Sequence, residues 1–238
     1  MVKECCIIFD LFGTLTDIES DRKVHEIISK KLSKIHDEVF KPEEHFELYE
    51  KLIYGQCNPP ITSREAVWKA LEILSKNKGF SIRISRDEVY RMHRELHIRA
   101  SELYDDVLSA LNKARSLCEY ILLVTDADRD VAIGILKKHV IYKYFNKIII
   151  GEEFNTRKPD PKLFSKAING LNVNRELCFV IGDSWKDVEG SKASGLKAIL
   201  VLRRRDVLEK LKAKPDYIAN SLTDAVNFIE KYLTNTKC

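Results

Sequence analysis

No stretch of the 238-residue chain approaches the ~18 consecutive apolar residues that a membrane-spanning helix requires, so no membrane partner is expected. Paired cysteine spacing is missing as well. The six cysteines (Cys5, Cys6, Cys57, Cys118, Cys178, Cys238) contain no Cys-x-x-Cys and are scattered, which reads as reduced thiols rather than a disulfide or zinc framework. Neither sign of charge dominates: 40 Lys and Arg stand against 36 Asp and Glu, a net +4, with the basic residues dispersed. A nucleic-acid partner is therefore not expected, and Arg203-Arg204-Arg205, directly after an apolar run, reads as a solvated edge. There is no internal repeat and no low-complexity tract. The opening Met1-Val2-Lys3-Glu4 passes straight into a strand-like run, so no signal peptide is expected and a cytoplasmic location is the default. Glutamine is almost absent, with Gln56 alone, and methionine is scarce; with abundant Lys, Glu and Ile this leans toward a heat-adapted source.

What is present fits a globular protein, with a hydrophobic fraction of 45% and a charged fraction of 32%. Short apolar runs alternate with helical ones from about Glu102 onward. Strands are expected at Glu119–Val124, Lys147–Ile150, Leu177–Gly182 and Lys197–Leu202, with helices at Asp128–His139, Pro161–Leu171, Trp185–Ser194 and Leu222–Leu233. Strands apolar throughout and separated by helices imply a parallel sheet covered on both faces. The opening run Glu4–Phe9 has the same character and belongs with them.

Residues 18–99 read differently. They carry no clear strand and four amphipathic stripes: Val24, Ile27, Ile28, Leu32 and Ile35; Phe46, Tyr49, Leu52 and Ile53 after Pro42; Val67, Ala70, Leu71 and Leu74; and Val89, Met92 and Leu96. Pro42 suits a helix first turn, and Ser85-Arg86-Asp87-Glu88 is a capping box. A strand-helix-strand crossover needs ~30 residues, far fewer than separate Asp10 from Thr125. The expected architecture is an α/β core of residues 1–17 and 100–238, a doubly wound parallel sheet, with a helical cap domain of residues 18–99 inserted after the first strand.

Open parallel sheets bind ligands beyond the carboxyl ends of their strands. Here those ends bear Asp10, then Thr125-Asp126, then Arg157-Lys158-Pro159 after the third strand, then Gly182-Asp183-Ser184 with Asp187 one turn on. One such Asp is ordinarily a helix cap; the ordered set is harder to explain structurally. Three crowded carboxylates call for a cation, and all-oxygen ligation suits Mg2+, which also bridges to phosphate oxygens. A strand-tip carboxylate can attack phosphorus. Lys158 and the Thr125 hydroxyl would hold the transferring group, and Gly13 would let the backbone approach it closely.

These residues resemble the haloacid dehalogenase (HAD) superfamily of hydrolases along nearly the whole chain. "FDLFGTLTD" looks like its first motif, "LLVTDAD" its second, "RKPDPKLF" its third and "VIGDSWKDVEGSKASGLKAI" its fourth. The resemblance implies a Rossmann-like core with a helical cap, Mg2+ as cofactor and a small phosphorylated molecule as substrate. It implies Asp10 as nucleophile, Thr125 as phosphate-binding hydroxyl and Lys158 as stabilising base. Gly13, Thr14 and Asp126 fall at substrate-binding positions. The metal would be held by Asp10, the backbone carbonyl of Phe12, Asp183 and Asp187. Asp126 replaces the family's usual Asn or Gly, and a further acid beside a phosphate would be repulsive, so its carboxylate is expected to point away or cap the next helix.

One departure bears on the chemistry. Most phosphatases of the family carry a second aspartate two residues after the nucleophile as general acid, and here that position is Phe12. An aromatic there is typical of the family's 2-haloacid dehalogenases, and its phosphonate hydrolases also lack the acid. Those dehalogenases, however, dispense with magnesium and with the acids kept here as Asp183 and Asp187. They also grip their substrate with an arginine about thirty residues past the nucleophile, and no Arg occurs between Arg22 and Arg64. A phosphonate hydrolase would need a Schiff-base lysine that nothing singles out. The expected function is a Mg2+-dependent phosphatase working through an aspartyl-phosphate, with dehalogenase, phosphonate hydrolase and non-catalytic binding protein as alternatives.

Three further features have plainer readings. His93 and His97 in "HRELH" are spaced like a zinc pair but read as a solvated helix face. Asp17 reads as a hinge or cap residue rather than a substitute acid. Arg64, Arg83, Arg86, Arg91, Arg94 and Arg99 read equally as a charged helix surface or as selectors of an anionic substrate.

Overall fold

The structure, a computed structural model, describes residues 4–55 and 60–236; Gln56, Cys57 and Cys238 lie outside the described residues. The chain forms two compact units. One comprises the residues up to Asp17, Leu103–Asp126 and the chain from His139 onward; the other comprises Ile18–Glu102 and Ala127–Lys138.

The first unit is built on strands β1 (Cys6–Phe9), β2 (Tyr120–Thr125), β3 (Lys147–Ile150), β4 (Cys178–Gly182), β5 (Lys197–Val201) and β6 (Tyr217–Ala219). They form one sheet in the order β3-β2-β1-β4-β5-β6, parallel throughout. The doubly wound parallel sheet expected from the sequence is present. Every residue of β1 is buried because both its edges and both its faces are covered. One face presents Cys6, Ile8, Leu122, Val124, Cys178 and Val180 to helix α7 (Pro161–Ile168) through Leu163, Phe164, Ala167 and Ile168. Helix α8 (Trp185–Ala193) packs beside α7. The opposite face meets α5 (Val107–Leu117) and α9 (Leu222–Asn235), where Tyr232 sets its ring edge-on to Phe179 at 5.5 Å. Neither α5 nor β6 was expected. The three residues of β6 are too few for an alternation signal, and its central Ile218 faces outward at the sheet edge.

The second unit contains α1 (Ile18–Ile35), α2 (Pro42–Ile53), α3 (Ser63–Lys78), α4 (Arg86–Ala100) and α6 (Arg129–Lys138). Pro42 opens α2, and the Ser85–Glu88 capping box opens α4. The expected stripes meet in one cluster around Val24, Ile28, Leu32, Val67, Leu71 and Val89. Ile27 and Ile35 are exceptions and stand exposed, while His25, Ser29 and Ser33 share the buried face of α1. A polar seam therefore runs through this core. Arg64, Arg83 and Arg86 are engaged by Asp130, Asp37 and Glu65. Among the described residues no helix is long and apolar enough to cross a membrane.

Two expectations are corrected. Cys5 and Cys118 form a disulfide, although 113 residues separate them. The parallel ladder sets Cys6 opposite Tyr120, and Cys118 closes α5 just before β2, so the two Cα atoms lie 5.1 Å apart. Cys6 and Cys178 remain thiols, facing each other across the β1–β4 ladder. The Arg203–Arg205 run is only partly a solvated edge: Arg204 and Arg205 are exposed, but Arg203 is half-buried, bonds Asp106 at 3.2 Å and stacks on Tyr104.

Candidate active site

The sheet register brings the site together. Phe9 is level with Leu123 on β2 and Ile181 on β4, so β1, β2 and β4 deliver Asp10, Thr125 and Asp183 to the same edge. Asp10 is held there by its amide, which donates to Ile181 O at 3.0 Å. The chain then turns sharply: the amides of Leu15 and Thr16 donate to Leu11 O, and that of Gly13 to Thr16 O at 2.7 Å. Gly13 sits at φ +81°, and a Cβ there would lie 2.3 Å from Asp183 Oδ2. Glycine is required both by the left-handed backbone and by the close approach of that carboxylate. Gly182 likewise permits the close approach of Asp187, whose Cγ would lie 2.3 Å from an added Cβ.

Lys158 is the centre of the cluster. Its Nζ donates to Asp10 Oδ1 at 2.5 Å and to Asp187 Oδ1 at 2.7 Å, all three side chains being buried. The Lys158 amide donates to Asp126 Oδ1 at 2.9 Å, so Asp126 holds the loop that presents the lysine. The carboxylate turns to this loop and does not cap the next helix. Ser184 caps α8: its hydroxyl and amide both donate to Asp187 Oδ2, at 2.5 and 3.2 Å. Asp187 thus has one oxygen on Lys158 and the other on the cap. Thr14 Oγ1 lies 3.4 Å from Asp10 Oδ2. Thr125 is buried as the last residue of β2, opposite Ile150. Phe12 is half-buried and forms a bridge with Thr16 inside the turn. Asp17 directly precedes α1, at the boundary of the two units.

Buried negative charge exceeds positive charge here, and the titration behaviour follows. Burial pushes Asp10 up to about 8, with Asp187 and Asp183 adding to the rise and Lys158 opposing it. Burial and Asp187 push Asp183 up to about 6. Lys158 is raised: burial works against its charge, but Asp10, Asp187 and Asp126 outweigh it. Oxygens of Asp10, Asp183 and Asp187 lie within 4.8 Å of one another. Such an excess of carboxylate fits a hard divalent cation, and the all-oxygen donor set is that of Mg2+.

In the sequence Ser184 stands at a strand end with no role assigned, and Lys186 is not singled out. Ser184-Trp185-Lys186-Asp187 has capping-box spacing, and that signal marks Ser184 as the partner of Asp187. Lys186 is held below the usual lysine range by burial, with Lys158 and Arg157 adding and Asp126 opposing.

A family model for haloacid dehalogenase-like hydrolases matches residues 6–195. The chain belongs to that family, and it is an enzyme of the hydrolase class. It is 27% identical over 230 residues to the N-acylneuraminate-9-phosphatase of Homo sapiens, covering 92% of this chain and 90% of that protein. It is 23% identical over 225 residues to the (S)-2-haloacid dehalogenase 2 of Pseudomonas sp. strain CBS-3, covering 94% of each. Its fold is similar to the crystal structure of a HAD phosphatase from Thermococcus onnurineus, with TM-score 0.68 and 22% identity over 94% of this chain and 97% of that one.

Proposed function

We propose that this HAD-family hydrolase is a Mg2+-dependent phosphatase acting on a small phosphomonoester, with residues 18–99 as its substrate-selecting cap. The observation that carries the reading is the buried trio Asp10, Asp183 and Asp187 around Lys158, an excess of carboxylate over cationic groups that a bound cation would offset in place of protons. Asp10, Asp183 and Asp187, with the Phe12 carbonyl, would hold Mg2+. When bound, the ion neutralises phosphate oxygens and so permits attack by a carboxylate.

Asp10 is the nucleophile. One of its oxygens forms a bond to phosphorus as the ester P–O bond breaks, leaving an aspartyl-phosphate and an alkoxide or phenoxide. Lys158, fixed by Asp126 and Asp187, keeps the Asp10 carboxylate in place and neutralises charge on the transferring group. The Thr125 hydroxyl, Thr14 and the amides around Gly13 bind its oxygens. Water then cleaves the aspartyl-phosphate, releasing phosphate and restoring Asp10. Phe12 offers no proton to the leaving group, so leaving-group basicity limits the first step.

The test is turnover of p-nitrophenyl phosphate with and without Mg2+, beside Asp10→Asn. Metal-dependent release of phosphate, lowered at least about 10³-fold by the substitution, is expected. Turnover indifferent to both changes would reject the reading. Phe12 favours a second one, 2-haloacid dehalogenation, in which the leaving halide needs no proton. Halide release from 2-chloropropionate without Mg2+ would establish it instead.

A further inference from the structure

The second unit contains a cluster that the hydrolytic reading does not use. His93 and His97 are not on a solvated face: both are buried, and they meet His25 of α1 across the helix interface. The ring centroids lie 4.2 Å (His93–His97), 4.7 Å (His25–His97) and 5.4 Å (His25–His93) apart. One ring nitrogen from each lies within 4.8 Å of the others. Turning this face of α4 inward is the work of its apolar neighbours, since Val89 and His93 are one helical turn apart and both buried.

Proton counting separates these histidines from the other buried ones. His45 is satisfied at both nitrogens, by Ser29 and by Val67 O, and His36 by Leu32 O and the Arg83 amide. In the cluster, His25 Nδ1 donates to Asp21 O at 3.0 Å and His97 Nδ1 to His93 O at 2.8 Å. Each neutral ring therefore carries its lone pair on Nε2. His97 Nε2 faces Asp21 Oδ1 at 3.1 Å, two acceptors that need something positive between them. His93 Nε2 lies 3.0 Å from Ser63 Oγ, which also meets His25 Nε2 at 2.9 Å and Tyr49 Oη at 3.1 Å. One hydroxyl proton cannot serve three neighbours. With Ser63 donating to His25, His93 donates to Ser63, and His93 Nδ1 is left with no hydrogen-bond partner although its side chain is only 2% exposed. The nearest acid, Asp128, is 3.8 Å away and already accepts the Ser63 and Arg64 amides at the start of α3.

We propose that this cluster is a structural site for a late first-row divalent cation, zinc above all, on one ring nitrogen each of His25, His93 and His97 and on the Asp21 carboxylate. Three converging imidazoles suit zinc and its first-row neighbours, and the Asp21 carboxylate, 3.1 Å from His97 Nε2, is placed to complete a four-coordinate set. The backbone carbonyls on the remote nitrogens of His25 and His97 orient those rings as the outer partners of metal-bound imidazoles do. Hard Mg2+ does not suit this donor set, so the two acidic and nitrogenous sites select different ions. The bound cation would tie α1 to α4 within the helical unit, adding a crosslink where the core of that unit is polar.

The experiment is Co2+ titration of untagged, EDTA-treated, desalted full-length protein, read by visible absorption. The expected result is one equivalent of cobalt with the intense bands of four-coordinate nitrogen ligation, displaced by Zn2+ and unchanged in Asp183→Asn. Octahedral cobalt on the core carboxylates gives no such bands. His93→Gln should weaken binding by more than about 100-fold, beyond the loss typical of an outer partner. Asp21→Asn, at a half-exposed position, reads the same site if His93→Gln fails to fold. Absence of the bands from the wild type, or their survival in both folded variants, would overturn the site and leave His97 as a protonated partner of Asp21. Neither result bears on the phosphatase test, which uses Asp10 and Mg2+.

Discussion

Phe12 and Asp10 sit two residues apart and pull the chemistry in different directions. Asp10 has a lysine, two further acids and a tight turn arranged around it, whereas Phe12, inside that turn, has a side chain with no proton to give. Phe12→Asp should therefore raise kcat/KM for alkyl phosphates by about 10²-fold or more while changing aryl phosphates little. Equal effects on both classes would show that protonation is not what limits the step. The raised acids also set a pH dependence. Ordinary Asp titrates near 3.8, but Asp10 is at about 8 and Asp183 at about 6 in the folded protein. Between those values the folded state keeps protons that the unfolded chain has lost, so their contribution to metal-free stability falls as pH rises. A cation must displace the same protons. Mg2+ affinity, read from the thermal shift at graded Mg2+, should thus increase at least about tenfold from pH 6 to pH 8; a flat profile would place the ion elsewhere. Gly13→Ala is expected to cost about 1–3 kcal/mol, because alanine at φ +81° is strained and its Cβ would strike Asp183. Urea unfolding measures the cost, and loss of the Mg2+ shift should accompany it. The site acids were legible at this scale because each follows an apolar strand or opens a helix, and Lys158 because it lies in the loop between β3 and α7. The inward turn of His93 and His97 was not, because α4 is mostly polar and its buried face is set by what packs against it.

At the scale of elements, α8 shows local preference yielding to packing. Gly190 lies in mid-helix, where alanine would ordinarily be favoured by about 1 kcal/mol. A Cβ there would lie 2.4 Å from the Phe164 ring of α7 and 2.8 Å from Pro159 O, in the loop that carries Lys158. Overpacking of that kind costs about 1–3 kcal/mol, so Gly190→Ala should destabilise the protein and lower turnover together. A gain of stability in urea would show that α8 and that loop do not touch as described. The strands of the sheet centre were legible from unbroken apolar runs such as Ile7–Phe9 and Ile121–Val124. Helix α5 and strand β6 were not. The buried stripe of α5, Val107, Ala110, Leu111 and Ala114, is short and half alanine, and β6 is paired on one edge only.

Across the whole molecule, the disulfide is the feature with the largest lever on stability. Cys5 and Cys118 are 113 residues apart, and the loop they close contains helices α1 to α5. Closing a loop of about 100 residues restricts the unfolded chain by up to about 5 kcal/mol. Reduction, or Cys5→Ser, should therefore lower the urea midpoint clearly, and an unchanged midpoint under reductant would mean that the pair is not bridged. The sequence by itself determined the parallel sheet, the amphipathic helices between β1 and β2 and the identity of the strand-end acids, because these rest on local periodicity and on motifs contiguous in the chain. Only the tertiary structure decided which distant residues meet. Cys5 finds Cys118, Asp126 finds the Lys158 amide and His25 finds His93 and His97 through register and helix packing, and neither leaves a mark on the residues between them.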